Sequence, residues 1–319
     1  MSIEIREFER SLWQGRIDAE EAGDTRRWHQ QIQPWQASAA AGATLIGFAC
    51  DAGVRRNQGR PGAAAGPALI RRTLANLAWH SSNLVYDAGE VVVSSTDELP
   101  GDLEAGQEML GQRVAALLDS GQRVIVLGGG HEVAYGSHLG IAQHVEANTR
   151  VGIINFDAHF DLRGGTLGSS GTPFRQIAEH CAAQQHPFHY LCLGVNEDAN
   201  TAALFATASA LNAEWKLDSD MNSWQISALR KQIDDFVVRM DRIHLSIDLD
   251  VFPAAIAPGV SAPAARGVSL DIIECLLGDI VASGKLMLAD IAEYNPLYDV
   301  DSRTARLAAR LAGRLMRVA

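Results

Sequence analysis

Several things are scarce or missing in this sequence, and each gap excludes a class of protein. The 319 residues hold four cysteines, Cys50, Cys181, Cys192 and Cys275, scattered with no CxxC pair. Such spacing supports neither a disulfide framework nor a cysteine-built zinc site. All four read as reduced, mostly buried small apolar side chains, and the protein is expected to be cytoplasmic. Long apolar runs are missing too. The longest, "ASAAAGATLIGFAC", spans 14 residues and is too short to cross a membrane. The opening "MSIEIREFERSLW" has mixed charge where a signal peptide would have an apolar core. Positive charge is outnumbered: 27 Lys and Arg against 38 Asp and Glu leave a net charge of -11. That balance argues against nucleic acid or an anionic membrane as the main partner, and some of the excess negative charge is expected at a cation site. No internal repeat, low-complexity linker or composition break divides the chain. It reads as one domain over residues 1–319, in which residues 1–40 form a helix and an irregular lead-in packed against the rest.

What is present is a sizeable core, with 47 % apolar residues, and an alternation of strand-like and helix-like segments. The candidate strands are 44–50, 83–87, 123–128, 150–157, 189–195, 213–217, 242–250 and 285–293. Between them, "LEAGQEMLGQRVAALLDSG" has helical spacing and ends at Gly121, a left-handed cap. "SWQISALRKQIDDFVVRM" and "SRTARLAARLAGRLMRV" are further helices, the last with arginines along its polar face. Interior apolar strands separated by helices imply an α/β protein whose parallel sheet is covered on both faces.

Three of those strands end in side chains that bind metals. "VGIINFDAHFD" passes from a buried run to Asp157, His159 and Asp161 at every second position. In an extended strand these three would share one face, with about 7 Å between successive members. "RVIVLGGGHE" delivers His131 after Gly128–Gly129–Gly130, and "HLSIDLD" delivers Asp248 and Asp250. No GK[ST] follows the glycines, which excludes a P-loop; they suit a close backbone turn that lets His131 reach inward. Alone, each motif reads as a solvated loop, a hydrogen-bonded histidine or a helix cap. Together they place two histidines and four aspartates at one sheet edge, where α/β folds gather ligands. That is too many ligands for one small cation and suits two that share carboxylates. His244 reads as a satisfied core residue, and His138 and His144 fall on the helix after His131.

GGGH, DAHFD and SIDLD in this order resemble the ureohydrolases, the arginase and agmatinase superfamily, from about residue 42 onward. The resemblance implies a single three-layer α/β/α domain with an eight-stranded parallel sheet and two Mn²⁺ per subunit. It implies that His131, Asp157, Asp161 and Asp248 hold one ion, and Asp157, His159, Asp248 and Asp250 the other, with Asp157 and Asp248 bridging. Glu293 in "DIAEYNP" matches the acidic residue that grips the substrate's cationic head. "DLRGGTLGSSGTPF" and "GVRRNQGRPGAAAGP" look like the formimidoylglutamase branch, whose members act in histidine degradation. Agmatinases usually carry a histidine where Ser170 stands, and arginases a proton-shuttling histidine at Phe174. Phe252–Pro253 also departs from the pattern, since many relatives have a further acidic residue there.

The chemistry of that substrate fits independently. N-formimidoyl-L-glutamate has an amidinium-like head and two carboxylates, whereas agmatine has none. Arg163, two residues past Asp161, offers a bidentate fork for a carboxylate; Arg60 in "NQGRPG" is a second candidate, and Ser170 a further substrate-side residue. The expected reaction is hydrolysis to L-glutamate and formamide, with Asp161 moving the proton and Glu293 holding the head. The rival readings are a guanidino-acid hydrolase of guanidinobutyrase or agmatinase type, which would release urea, and a metal-binding regulator without catalysis. Intact ligands and Glu293 argue against the regulator. A small molecule is the expected partner, with no nucleic acid and no membrane, and assembly into a homo-oligomer is left open.

Overall fold

A computed structural model describes residues 3–94 and 102–317 of the chain; Val318, at the end of the expected last helix, lies outside them. The strands are β1 (Ile3–Arg6), β2 (Gln33–Pro34), β3 (Ala43–Ala49), β4 (Val85–Val93), β5 (Arg123–Leu127), β6 (Val151–Phe156), β7 (His189–Val195), β8 (Glu214–Leu217), β9 (Arg242–Asp248) and β10 (Leu286–Ala292). They form one sheet in the order β1-β4-β3-β5-β10-β9-β6-β7-β8, with β2 paired to β4. All pairings are parallel except that of β1 with β4. The eight expected strands are therefore all present, and two more extend the sheet at the β4 edge.

Alternation along the interior strands is between two cores. Leu45, Ile125, Ile154 and Leu245 face one side, where α2 (Gly66–Ala75), α7 (Ile226–Val238), α8 (Leu270–Ala282) and α9 (Arg303–Met316) supply Leu74, Ile233, Leu276 and Leu311. On the other side, Ile46, Val124 and Val126 meet Leu110 and Val114 of α3 (Asp102–Asp119) and Ile141 of α4 (Val133–His144). Ile153 and Cys192 meet Ile177 of α5 (Pro173–Ala183) there. Burial on both faces is why these strands read as continuous apolar runs. Gly121 closes α3 with φ 77°, and the four cysteines are free thiols. No helix among the described residues is long and apolar enough to cross a membrane.

Two expectations change. The lead-in contains no α-helix among its described residues. It makes β1, β2 and single 3-10 turns at Arg10–Leu12 and Trp28–Gln30, and it packs through buried Trp13 and Trp28. The second expected strand, 83–87, is β4, which starts at Val85 and carries the charge of Asp87 in its interior. It runs on to Val93 because Arg71, equally buried, meets Asp87 at 2.9 and 3.0 Å. The Trp13 indole N–H adds a third hydrogen bond to Asp87 at 2.8 Å. A buried carboxylate so paired is tolerated.

His138 lies on α4, buried, its Nε2 3.1 Å from His180 Nδ1. Burial, reinforced by His244 and His180, pushes its pKa down to about 3. The folded value lies below the unfolded one, so as pH falls the unfolded chain takes the proton first. This contribution to stability is complete above about pH 6.5 and is lost progressively toward pH 3. Urea denaturation in EDTA should show wild type losing about 2 kcal/mol relative to His138→Gln between pH 6.5 and 5. A pH-independent difference would mean that His138 titrates normally.

Candidate metal centre

The four central strands β5, β10, β9 and β6 lie side by side, and each ends in part of one polar cluster. After β5, the three glycines are there because backbones crowd them. A Cβ on Gly129 would lie 1.7 Å from the Cys50 carbonyl oxygen, and one on Gly130 2.1 Å from Glu132 Oε2. Gly128 N–H donates to the Ile291 carbonyl, and Gly129 accepts from Glu293 N–H, both at 2.8 Å. This clamp between the ends of β3 and β10 points His131 inward, buried. Its Nε2 is 2.8 Å from Ser246 Oγ. Its Nδ1 lies 2.9 Å from Asp161, 3.1 Å from Asp157 and 3.2 Å from Asp248, yet has hydrogen-bond geometry with none of them.

The DAHFD segment converges in a different way from an extended strand. β6 stops at Phe156, and the next five residues form a bend in which Asp161 adopts φ 50°. Ligands about 7 Å apart on a straight strand would have to stretch to share an ion. The chain bends at Ala158 and His159 instead, and Asp161 at the segment's end is left-handed. Ligand atoms of His131, Asp157, Asp161 and Asp248 come within 4.8 Å of one another, and so do those of Asp157, His159 and Asp250. Asp157 belongs to both groups. Asp248 joins the first through Oδ2, while its Oδ1 accepts Asp250 N–H at 2.8 Å and caps the 3-10 turn Leu249–Val251. It is thus a cap and a ligand candidate at once.

The electrostatics fit a divalent cation in each group. Burial pushes Asp161 up to about 6, with the Asp157 charge adding to it. Asp248 and Asp250 are raised by burial and then by neighbouring aspartates. Burial would lower His131, but its three carboxylates outweigh that and raise it well above the usual imidazole range. Mutual repulsion of buried carboxylates, with an imidazole nitrogen aimed among them, is relieved by a metal ion. The donor set of nitrogen and carboxylate oxygen without thiolate suits manganese-like cations better than structural zinc.

Beside the cluster, Glu293 follows β10 with φ 67°, a left-handed conformation uncommon outside glycine. Its Oε1 accepts His131 N–H at 3.0 Å, and its Oε2 has no partner. Burial and then the Glu132 charge push the carboxyl up to about 8. Phe174 stands edge-on to His131 at 5.3 Å and stacks on Tyr190 at 4.6 Å. Arg163 is exposed on the wall of a neighbouring rim cavity of about 750 Å³, together with Asn57, Gln58 and Thr166. The walls of that cavity do not include the metal-ligand candidates. Ser170 is buried and accepts from Asn57 Nδ2 at 3.3 Å. Arg60 departs from its expected role. Its guanidinium binds the Ser261 carbonyl at 2.8 Å and the Val260 carbonyl at 2.5 Å, over the Tyr298 ring at 3.7 Å. It ties loops together and leaves little of its fork for a substrate.

Sequence reasoning missed the residues that hold the ligands. Asn155 donates to Asp157 at 3.0 Å. Asn200 accepts Phe160 N–H at 3.1 Å and donates to the Ala158 carbonyl at 2.9 Å. Asp290 lies beyond Ser246, buried within "LMLADIA". A lone aspartate in an otherwise apolar strand was the available signal.

Residues 41–317 match the model of the arginase family, and the chain belongs to that family. Within it, the chain is 56 % identical over 310 residues to a formimidoylglutamase of Aeromonas hydrophila, covering 96 % of this chain and 97 % of the relative. To the formimidoylglutamase of Chromobacterium violaceum it is 53 % identical over 306 residues, covering 96 % and 97 %. Among solved structures, the formiminoglutamase of Trypanosoma cruzi with Mn²⁺ superposes with a TM-score of 0.79 at 25 % identity, over 92 % of this chain and 98 % of the other. The formimidoylglutamase of Bacillus subtilis gives 0.79 at 24 %, over 94 % and 95 %.

Because Asp157 alone is common to both ligand groups, Asp157→Asn should weaken binding of every cation the site holds. Asp250→Asn should weaken only one. Equilibrium dialysis with Mn²⁺ and elemental analysis would read this, and equal effects of the two substitutions would contradict the two-group geometry.

Proposed function

We propose that the protein hydrolyses N-formimidoyl-L-glutamate to L-glutamate and formamide, using two manganese ions held by these residues. The near-full-length likeness to formimidoylglutamases carries the substrate assignment. His131, Asp157, Asp161 and Asp248 would hold one ion, and Asp157, His159 and Asp250 the other. Asp248, which the family resemblance gives to both ions, falls in the first group only, and its Oδ1 accepts Asp250 N–H. Bound there, the metal pair supplies an acidified water and polarises the amidine.

The chain's own groups do the rest. Glu293 Oε2, without a partner among the described residues, accepts an N–H of the cationic formimidoyl head, whose charge offsets the burial that holds the free carboxyl at about 8, and turns the head's carbon toward the metal groups. Its Oε1, held by His131 N–H, fixes the carboxylate. Asp161 takes the proton of the attacking water and gives it to the departing glutamate nitrogen as the C–N bond breaks. A histidine shuttle has no place here, because the Phe174 ring occupies that space against His131. Arg163, exposed at the rim and without an ion pair among the described residues, pairs with a substrate carboxylate.

The test is a substrate panel with Mn²⁺-loaded protein, scoring formamide, urea and ammonia. Formimidoylglutamate should be the best substrate and release formamide. Faster release of urea from guanidinobutyrate would move the assignment to a guanidino-acid hydrolase. Arg163→Ala should raise KM by about 1–3 kcal/mol, the worth of one charge-assisted contact, with kcat nearly unchanged. Unaltered KM would remove Arg163 from the site.

A further inference from the structure

Beneath the ligand groups, on the α4 side of the sheet, the central strands carry polar side chains where apolar ones would be expected. The register places Asn155 of β6 beside Ser246 of β9, and Ser246 beside Asp290 of β10. All three are buried with no exposed surface. Burying such a row costs free energy unless each group serves another. Asn155 serves Asp157, as described above. The other two form a chain: His131 Nε2 to Ser246 Oγ at 2.8 Å, the Ser246 hydroxyl to Asp290 Oδ1, and Asp290 Oδ2 to His244 Nε2 at 2.6 Å.

The direction of these bonds follows from the inventory of donors. A carboxylate only accepts, so Ser246 donates its one proton to Asp290, leaving its oxygen to accept from His131. With a cation in the group, His131 would therefore keep its one proton on Nε2 and turn the Nδ1 lone pair, which points among Asp157, Asp161 and Asp248, to that ion. His244 donates to the second oxygen of Asp290, which anchors that carboxylate from the far side. A metal-bound histidine is commonly oriented by a carboxylate on its other nitrogen; here a serine hydroxyl stands between the two.

We propose that Ser246 and Asp290 are positioning residues for the metal centre, fixing the tautomer and orientation of His131 and so setting the affinity of the ion it holds. The inference rests on the reading that the His131 group binds a cation. The second ion, on Asp157, His159 and Asp250, has no bond to this chain and should be insensitive to it.

Mn²⁺ titration of the EDTA-treated full chain, followed by electron paramagnetic resonance, separates the possibilities. Wild type should bind two ions and develop a spin-coupled signal; binding of only one would overturn the reading and the inference together. Ser246→Ala should weaken one ion by about 10- to 100-fold and leave the other at its wild-type affinity. The ion lost should be the one lost in His131→Asn, not the one lost in His159→Asn. Asp290→Asn, nearly isosteric and less prone to disturb packing, should act in the same direction, and Ser246→Thr should restore binding through its hydroxyl. If wild type binds two ions and both variants keep both affinities, the inference fails and the metal reading stands. Equal weakening of both ions would also overturn it, since a general packing defect has no preference between them.

Discussion

The costliest feature of this molecule is the confinement of four aspartates, with Glu293 and Glu132 beside them, at the buried ends of four adjacent strands. Carboxylates taken out of water and set near one another repel, and protein dipoles alone do not offset that. Several oddities of the chain follow from the confinement. Three successive glycines leave room for the Val133 side chain, the Cys50 backbone and the Glu132 carboxyl. Asp161 and Glu293 accept left-handed backbone angles. His131 aims a nitrogen at three carboxylates without bonding to any. Each is unfavourable locally, and all of them lie around groups whose donor set fits a metal ion.

The contrast with Asp87 clarifies the point. It too is a buried carboxylate in an interior strand, but Arg71 and Trp13 satisfy it from within the chain. No arginine or lysine approaches the strand-end aspartates among the ion pairs of the described residues; their partners are histidines. Asp87 thus has a permanent counter-charge, whereas the strand-end aspartates face imidazoles, which can exchange a proton for a metal ion. The sheet makes this arrangement possible: its central strands are the most rigidly held, and their ends are therefore the best place to fix ligands within a fraction of an ångström.

Around that centre the neighbours differ in kind. Phe174, fully buried, stands edge-on to His131. Arg163 is exposed and unpaired at the cavity wall, whereas Arg60, similar on paper, is locked between two carbonyls and an aromatic ring.

Much was legible in the sequence, for definite physical reasons. Interior parallel strands must be apolar on both faces, so β3, β5, β6, β9 and β10 announce themselves. His and Asp are common metal-binding side chains, so their concentration in GGGH, DAHFD and SIDLD marks both the candidate site and its edge of the sheet. What only the tertiary structure decided depends on contacts between residues far apart in the chain. The true end of β4 depended on Arg71, which lies 16 residues before Asp87. The short strands of the lead-in needed the partner strand β4 to exist. The division of the ligands into two groups depends on the bend after β6 and on the 3-10 turn after β9, and no periodicity encodes it. Arg60 and Arg163 have the same side chain, and only their neighbours give one a structural duty and leave the other free. The polar row of Asn155, Ser246 and Asp290 exists only through the register of three strands drawn from separate parts of the chain.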